Sequence, residues 1–224
     1  MNQAGAKRPR ALLLDLDDTL YEYRFPEEQA RAKLLRLVEV ELNLGQPEVN
    51  CLWEESRMAV KERLGARASA HSRLLYLSEL VHRSGRSDLL PRVRSWERTF
   101  WEEFIGKASL RTGARELILA WHARGGKTAI VTDLTLEVQL WKLESFGLLA
   151  LIDVLAASEE VPEDKPAAEV FLLAMERLGV QAEDCMIMGD SPAKDGAAAH
   201  TLGIPFLHVN SQESLQKAIV ELLP

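Results

Sequence analysis

Ala11-Leu-Leu-Leu-Asp15-Leu-Asp17-Asp18-Thr19 is the stretch on which the fold turns. Four consecutive apolar residues without polar alternation are what a strand buried on both faces looks like, and such strands belong to parallel sheets covered by helices. The run then stops in carboxylates. Similar runs recur at 128–131, at 151–157 (interrupted by Asp153), at 185–188 and at 206–209. Between them lie segments of helical period with glycine stops: 112–124 ends at Gly125-Gly126, 136–146 at Gly147, and 167–178 at Gly179, each a C-terminal signal. A last helix is expected after Asn210, with Glu213 three residues on completing a capping box, and runs to Leu223. Strand and helix in this rhythm predict an α/β core with a Rossmann-like parallel sheet.

The first connection breaks the rhythm. A parallel crossover needs only a dozen or so residues, yet roughly ninety separate the first strand from the helix leading to the second. That is too long for a loop. The insert reads as four helices, about 26–43, 47–64, 70–83 and 89–105, punctuated by Gly45-Gln-Pro47, Gly65 and Ser84-Gly85. Two parts are therefore expected: an α/β core from 1–20 and 109–224, and an all-helical subdomain over 21–108.

The 224 residues suffice for a core without staples. With 47% hydrophobic and 27% charged residues, disorder and fibrous repeats are excluded. Acids outnumber bases, 34 to 27, for a net charge of -7, which argues against nucleic acid held by bulk charge. Cys51 and Cys185 are too few and too distant for a disulfide framework or zinc site and read as buried small hydrophobes in a reducing compartment. No stretch reaches the ~20 apolar residues of a membrane span. Lys7, Arg8 and Arg10 precede an apolar run of only four residues, too short for a signal peptide, so a frayed basic tail and a cytoplasmic location are expected.

Ligands of open parallel sheets bind beyond the carboxyl ends of the strands. The first run delivers Asp15, Asp17 and Thr19 there, the second Thr132-Asp133, and the fourth Gly189-Asp190 and Asp195; Lys165 follows the third. If these strands are neighbours, the aspartates crowd together and need a cation to ionise jointly. Oxygen-only ligation is the setting magnesium prefers. A phosphate could then be held by the metal, Lys165, Thr132 and backbone N–H groups. One carboxylate could attack phosphorus, while Asp17 protonates the leaving oxygen and later deprotonates a water. Gly125-Gly126-Lys127-Thr128 imitates a phosphate-binding loop, but Trp121 stands where its first glycine is required. It reads as a helix stop and strand start.

In order and spacing, Asp15, Asp17 and Thr19, then Thr132, Lys165, Gly189, Asp190 and Asp195 resemble the haloacid dehalogenase-like (HAD) hydrolase superfamily, and the insert falls where that family carries a helical cap. The resemblance implies Asp15 as nucleophile and Asp17 as general acid/base. It implies Thr132 and Lys165 on the phosphoryl group, with Asp133 beside them where the family more often has Asn or Ser. It places Mg2+ on Asp15, the backbone carbonyl of Asp17, and Asp190. Thr19 and Asp195 would support the site, Asp195 by ordering a metal-bound water or Lys165. Residues 20–25 would form the family's mobile flap. The family's dehalogenases lack the second aspartate, so Asp17 favours phosphoester hydrolysis of a small phosphorylated metabolite. A phosphomutase, or a non-catalytic protein binding a phospholigand or partner, would keep the same residues. Arg24, Arg31, Arg57, Arg63, Arg67 and Arg73 of the insert could steer an anionic substrate, most of them being read as solvated; Arg24, nearest the nucleophile, is the candidate for substrate contact, and the insert's apolar helices could also serve a homodimer.

Overall fold

The computed structural model describes residues 8–223; of the expected frayed tail, Lys7 lies outside the described residues, whereas Arg10 is held, its amide donating to the Asp184 carbonyl at 2.7 Å. The chain forms two compact units, one from the segment up to Glu22 together with everything from Ser109 on, the other Tyr23–Ala108.

The first unit is built on five strands: β1 (Ala11–Leu14), β2 (Lys127–Thr132), β3 (Val154–Ala157), β4 (Cys185–Gly189) and β5 (Phe206–His208). All pair in parallel in the order β3-β2-β1-β4-β5. β1 is central, with Leu14 opposite Ile130 on one side and Met188 on the other, which is why its four residues are all buried and apolar. β3 is shorter than its apolar run predicts. Residues 151–153 turn instead, because the Asp153 carboxylate accepts from the Thr128 amide at 2.7 Å and caps the start of β2.

The second unit comprises α1 (Arg24–Leu42), α2 (Gln46–Leu64), α3 (Arg73–Arg83) and α4 (Val93–Lys107), with 3-10 turns before α3 and α4. Trp53, Trp96, Phe100, Trp101 and Phe104 form its buried aromatic centre. Two sequence readings are corrected here. Cys51 is exposed, its thiol donating to Glu55 at 3.3 Å along α2. Arg73 is no solvated arginine: its guanidinium lies 5.2–6.0 Å from the rings of Tyr23, Tyr76, Phe100 and Trp101 and donates to the Tyr23 hydroxyl, contacts that desolvation strengthens.

The sheet unit is completed by α5 (Ala114–Ala123), α6 (Leu136–Ser145), α7 (Glu169–Leu178), α8 (Ala197–Leu202) and α9 (Gln212–Leu222). Val170, Phe171 and Ala174 of α7 join Leu13, Ala129, Val131 and Ile187 in one buried cluster. α9 starts one residue later than expected: Ser211 is its cap and Ser214, not Glu213, answers it. Tyr21 and Glu22 group with the sheet rather than the insert, since the Tyr21 backbone bridges to Asp17 and Leu110 and its ring packs on Phe146 at 5.0 Å. Among the described residues, no helix is long and apolar enough to cross a membrane.

Candidate active site

The chain leaves β1 for β2 and β3 on one side and later crosses back to β4 and β5 on the other, so the switch point lies between the carboxyl ends of β1 and β4. Asp15 directly follows β1 and Asp190 directly follows β4. Asp195 comes from a single π-helical turn, Pro192–Gly196, a local widening that often accompanies functional sites. Asp15, Asp190 and Asp195 each bring one oxygen within 4.8 Å of the other two.

Lys165 binds this cluster together. Its buried Nζ donates to Asp15 Oδ1 at 2.6 Å, to Asp195 Oδ1 at 2.7 Å and to the Val131 carbonyl at 3.2 Å, so all three ammonium protons are satisfied. Burial opposes its charge, but Asp15, Asp195 and Asp133 outweigh burial and hold the amine above its ordinary value. Asp15 Oδ2 accepts from Thr19 Oγ1 at 2.7 Å. Burial is the main reason that Asp15 is pushed up to about 7, opposed by Lys165 and reinforced by Asp195. Asp190 is likewise raised, by burial and then by Asp195. Three carboxylates around one ammonium leave about two negative charges in excess. An all-oxygen donor set with that excess fits one small divalent cation such as Mg2+.

Thr132 ends β2 with its buried hydroxyl accepting from Gln139 Nε2 at 2.7 Å and donating weakly to the Asp133 carbonyl at 3.2 Å. The Asp17 carboxylate is engaged elsewhere: Lys142 Nζ donates to its two oxygens at 2.8 and 2.9 Å, and the Tyr21 hydroxyl to Oδ1 at 2.5 Å. Asp133, expected at the phosphate end, uses its carboxylate internally. Oδ1 accepts from the Lys165 amide at 3.1 Å and Oδ2 from Lys194 Nζ at 2.7 Å. An anion so placed fastens two lysine-bearing loops and would repel a phosphate. Arg24 opens α1 in the helical unit, exposed and paired with Glu28 at 2.8 Å.

Gln139, Lys142 and Lys194 escape the sequence reading. Gln139 and Lys142 were discoverable: both lie on the buried stripe of α6 with Val138 and Leu143, where a lysine needs an anion. Two non-glycine residues in the site loops adopt left-handed backbone, Asp18 at φ 62° and Leu134 at φ 88°; a leucine there stores strain of the kind that concentrates at functional loops.

Gly189 is required by close approach. A Cβ there would stand 2.5 Å from Asp195 Cγ and 2.8 Å from its Cβ. Gly189→Ala should displace Asp195 from Lys165, lowering stability by about 1–3 kcal/mol and kcat with it. A thermal melt and steady-state assay check this; an unchanged melting temperature and rate would show that the loop simply yields.

Comparison with known proteins agrees with this arrangement. A profile described as haloacid dehalogenase-like hydrolase matches residues 9–203. A ribulose-1,5-bisphosphate 5-phosphatase of Halopiger xanaduensis is 29% identical over 94% of this chain and 91% of its own length. A glyceraldehyde 3-phosphate phosphatase of Methanopyrus kandleri is 28% identical over 87% of this chain and 81% of its own. Among solved structures, a 2-haloacid dehalogenase from Pseudomonas syringae pv. Tomato shares the fold with a TM-score of 0.75 at 17% identity, over 95% of this chain and 99% of that one. With the profile spanning most of the chain and the parallel sheet presenting its residues at the switch point, the protein belongs to the haloacid dehalogenase-like hydrolase family.

Proposed function

We propose that this hydrolase is a Mg2+-dependent phosphatase that cleaves a small phosphorylated metabolite through an aspartyl-phosphate on Asp15. The observation that carries the reading is the Asp15 carboxylate at the switch point, gripped by Lys165 and Thr19 and within 4.8 Å of Asp190 and Asp195, with a second carboxylate two residues along. The names of the two relatives, both phosphatases of small sugar phosphates, support it. The likeness to a dehalogenase is one of fold alone, and Asp17 speaks for an oxygen leaving group.

Bound among Asp15, Asp190 and the Asp17 carbonyl, Mg2+ would neutralise the excess charge and polarise the phosphoryl oxygens. Lys165 and Thr132 orient the phosphoryl group. An Asp15 oxygen bonds to phosphorus as the bond to the leaving oxygen breaks, and the Asp17 proton passes to that oxygen. Water then attacks phosphorus, its proton goes to Asp17, and the bond between phosphorus and Asp15 breaks. Asp195 holds Lys165 against the nucleophile throughout. The helical unit is assigned the part of a cap that selects the substrate, with Arg24 as its candidate contact, and a cytoplasmic setting suits such a metabolite.

The test is turnover of a phosphometabolite panel with and without metal. EDTA is expected to lower phosphate release by about 100-fold or more, and excess Mg2+ to restore it. Turnover indifferent to EDTA removes the metal from the mechanism. An isomerised product without free phosphate identifies a mutase, and tight phosphate binding without any turnover a binding protein.

A further inference from the structure

We infer that Lys142 and Tyr21 form a clamp that positions Asp17, holding its carboxyl plane fixed for proton transfer, with Oδ1 bonded by both partners and Oδ2 by Lys142 alone. The inference rests on the acid/base reading of Asp17 given above. Lys142 is fully buried in the last turn of α6, on the stripe with the buried Val138 and Leu143. Burying an ammonium is unfavourable unless it is paired, and an apolar residue would serve the helix better. Its Nζ instead bridges the two oxygens of Asp17 at 2.8 and 2.9 Å. The partner lies 125 residues away in sequence, so no local helix pairing accounts for it.

Tyr21 completes the clamp. Its hydroxyl donates to Asp17 Oδ1 at 2.5 Å, and Lys142 Nζ lies 5.8 Å from its ring centroid. The ring packs on Phe146, and the backbone is pinned to Asp17 and Leu110. Oδ1 therefore takes two donors and Oδ2 one. When Asp17 carries a proton on Oδ2, Oδ1 is the carbonyl oxygen and still accepts from both partners. The carboxyl plane stays fixed while the proton leaves for the departing oxygen and returns from the attacking water.

Gln139 acts on the neighbouring hydroxyl from the same helix face. Its Nε2 donates to Thr132 Oγ1 and the Asp133 carbonyl, both at 2.7 Å, so the Thr132 proton is held only by its weak 3.2 Å bond to that carbonyl, which a phosphoryl oxygen would displace. One face of α6 thus orients two groups of the site. Lys142 and Tyr21 are positioning residues; neither is assigned contact with substrate.

A clamp on the general acid is read by its dependence on the leaving group. The full-length protein is assayed with Mg2+ on p-nitrophenyl phosphate and phenyl phosphate, which are alike in shape but differ in how much the departing oxygen needs a proton. kcat/KM is the quantity followed, because it reports events up to release of the phenol. Lys142→Met should lower kcat/KM for phenyl phosphate by about 100-fold and for p-nitrophenyl phosphate by roughly tenfold less. Tyr21→Phe, which removes only the hydroxyl and keeps the packing, should shift the same ratio in the same direction by a smaller factor. Lys142→Arg should restore the ratio to within about threefold of wild type, since a guanidinium can also bridge a carboxylate. Equal losses on both esters, or an unchanged ratio in Tyr21→Phe should Lys142→Met fail to fold, overturn the clamp while leaving the phosphatase reading intact. A wild-type protein that releases phosphate from neither ester nor any member of the phosphometabolite panel overturns both.

Discussion

Asp15→Asn is expected to lower kcat by about 10⁴-fold or more while the fold stays intact. The amide keeps the shape of the carboxylate, and its one carbonyl oxygen can still accept from Lys165 while its NH2, in place of Oδ2, faces the Thr19 hydroxyl as a donor, but it has no anionic oxygen to form the bond to phosphorus. Stability should move the other way. In the metal-free protein Asp15 is raised from 3.8 to about 7, chiefly by burial. Because its folded value lies above its unfolded one, the carboxyl destabilises nothing below about pH 4, increasingly more up to about 7, and a constant amount beyond. The size is a few kcal/mol at most, at about 1.4 kcal/mol per unit. With EDTA present the variant should therefore melt above wild type at pH 8, and the gap should close as pH approaches 4. Adding Mg2+ should raise the wild-type melting temperature far more than the variant's. Undiminished activity in the variant would remove Asp15 as nucleophile, and a lower melting temperature at pH 8 would mean that its bonds to Lys165 and Thr19 outweigh its burial.

Lys165→Met is expected to be strongly destabilising. Lys165 is the cation shared by Asp15 and Asp195, and its side chain is almost wholly buried, as are theirs. Removing it leaves two buried carboxylates facing one another, a loss of about 3–5 kcal/mol, or very roughly 10 °C in a chain of this length. Phosphate release should vanish with it, since the proposed mechanism assigns the same amine to the phosphoryl group. Mg2+ should recover part of the stability and none of the turnover. A melting temperature within a degree of wild type in EDTA would mean that the carboxylates can relax into solvent, which their burial opposes.

Much of this was legible before any coordinates because strands covered on both faces cannot hide their composition. β1 and β4 read as unbroken apolar runs, and the chain rule for open sheets placed their carboxylates together. The apolar run 151–157 misled because a turn can also be apolar; only the Asp153 bond to the Thr128 amide shows where β3 begins. α8 was missed because its Ala-Ala-Ala-His-Thr-Leu segment is too short and too small-residued to show a period, and the π-helical turn ahead of it has no sequence rule. The partners of Asp17 were invisible for a different reason. Lys142 stands out as a buried cation on α6, but the anion it meets lies 125 residues away, and no spacing in the sequence encodes that pairing. Asp133 shows the converse limit: its position beside Thr132 suggested a phosphate contact, whereas its charge is engaged by Lys194.

The place where the helical segment interrupts the sheet unit is sealed. Outgoing Tyr21 bridges to incoming Leu110, the Arg111 amide donates to the Leu20 carbonyl at 2.8 Å, and the Arg111 guanidinium grips the carbonyls of Asp18 and Thr19 at 2.9 and 3.1 Å. Departure and return thus meet at one stitched point, so whatever is spliced between them adds little more than the slowly growing entropy of closing a loop. Such a seam makes the intervening eighty-odd residues an exchangeable cassette: a graft of different length or sequence could alter which molecule is accepted without retuning the acidic centre a few residues upstream.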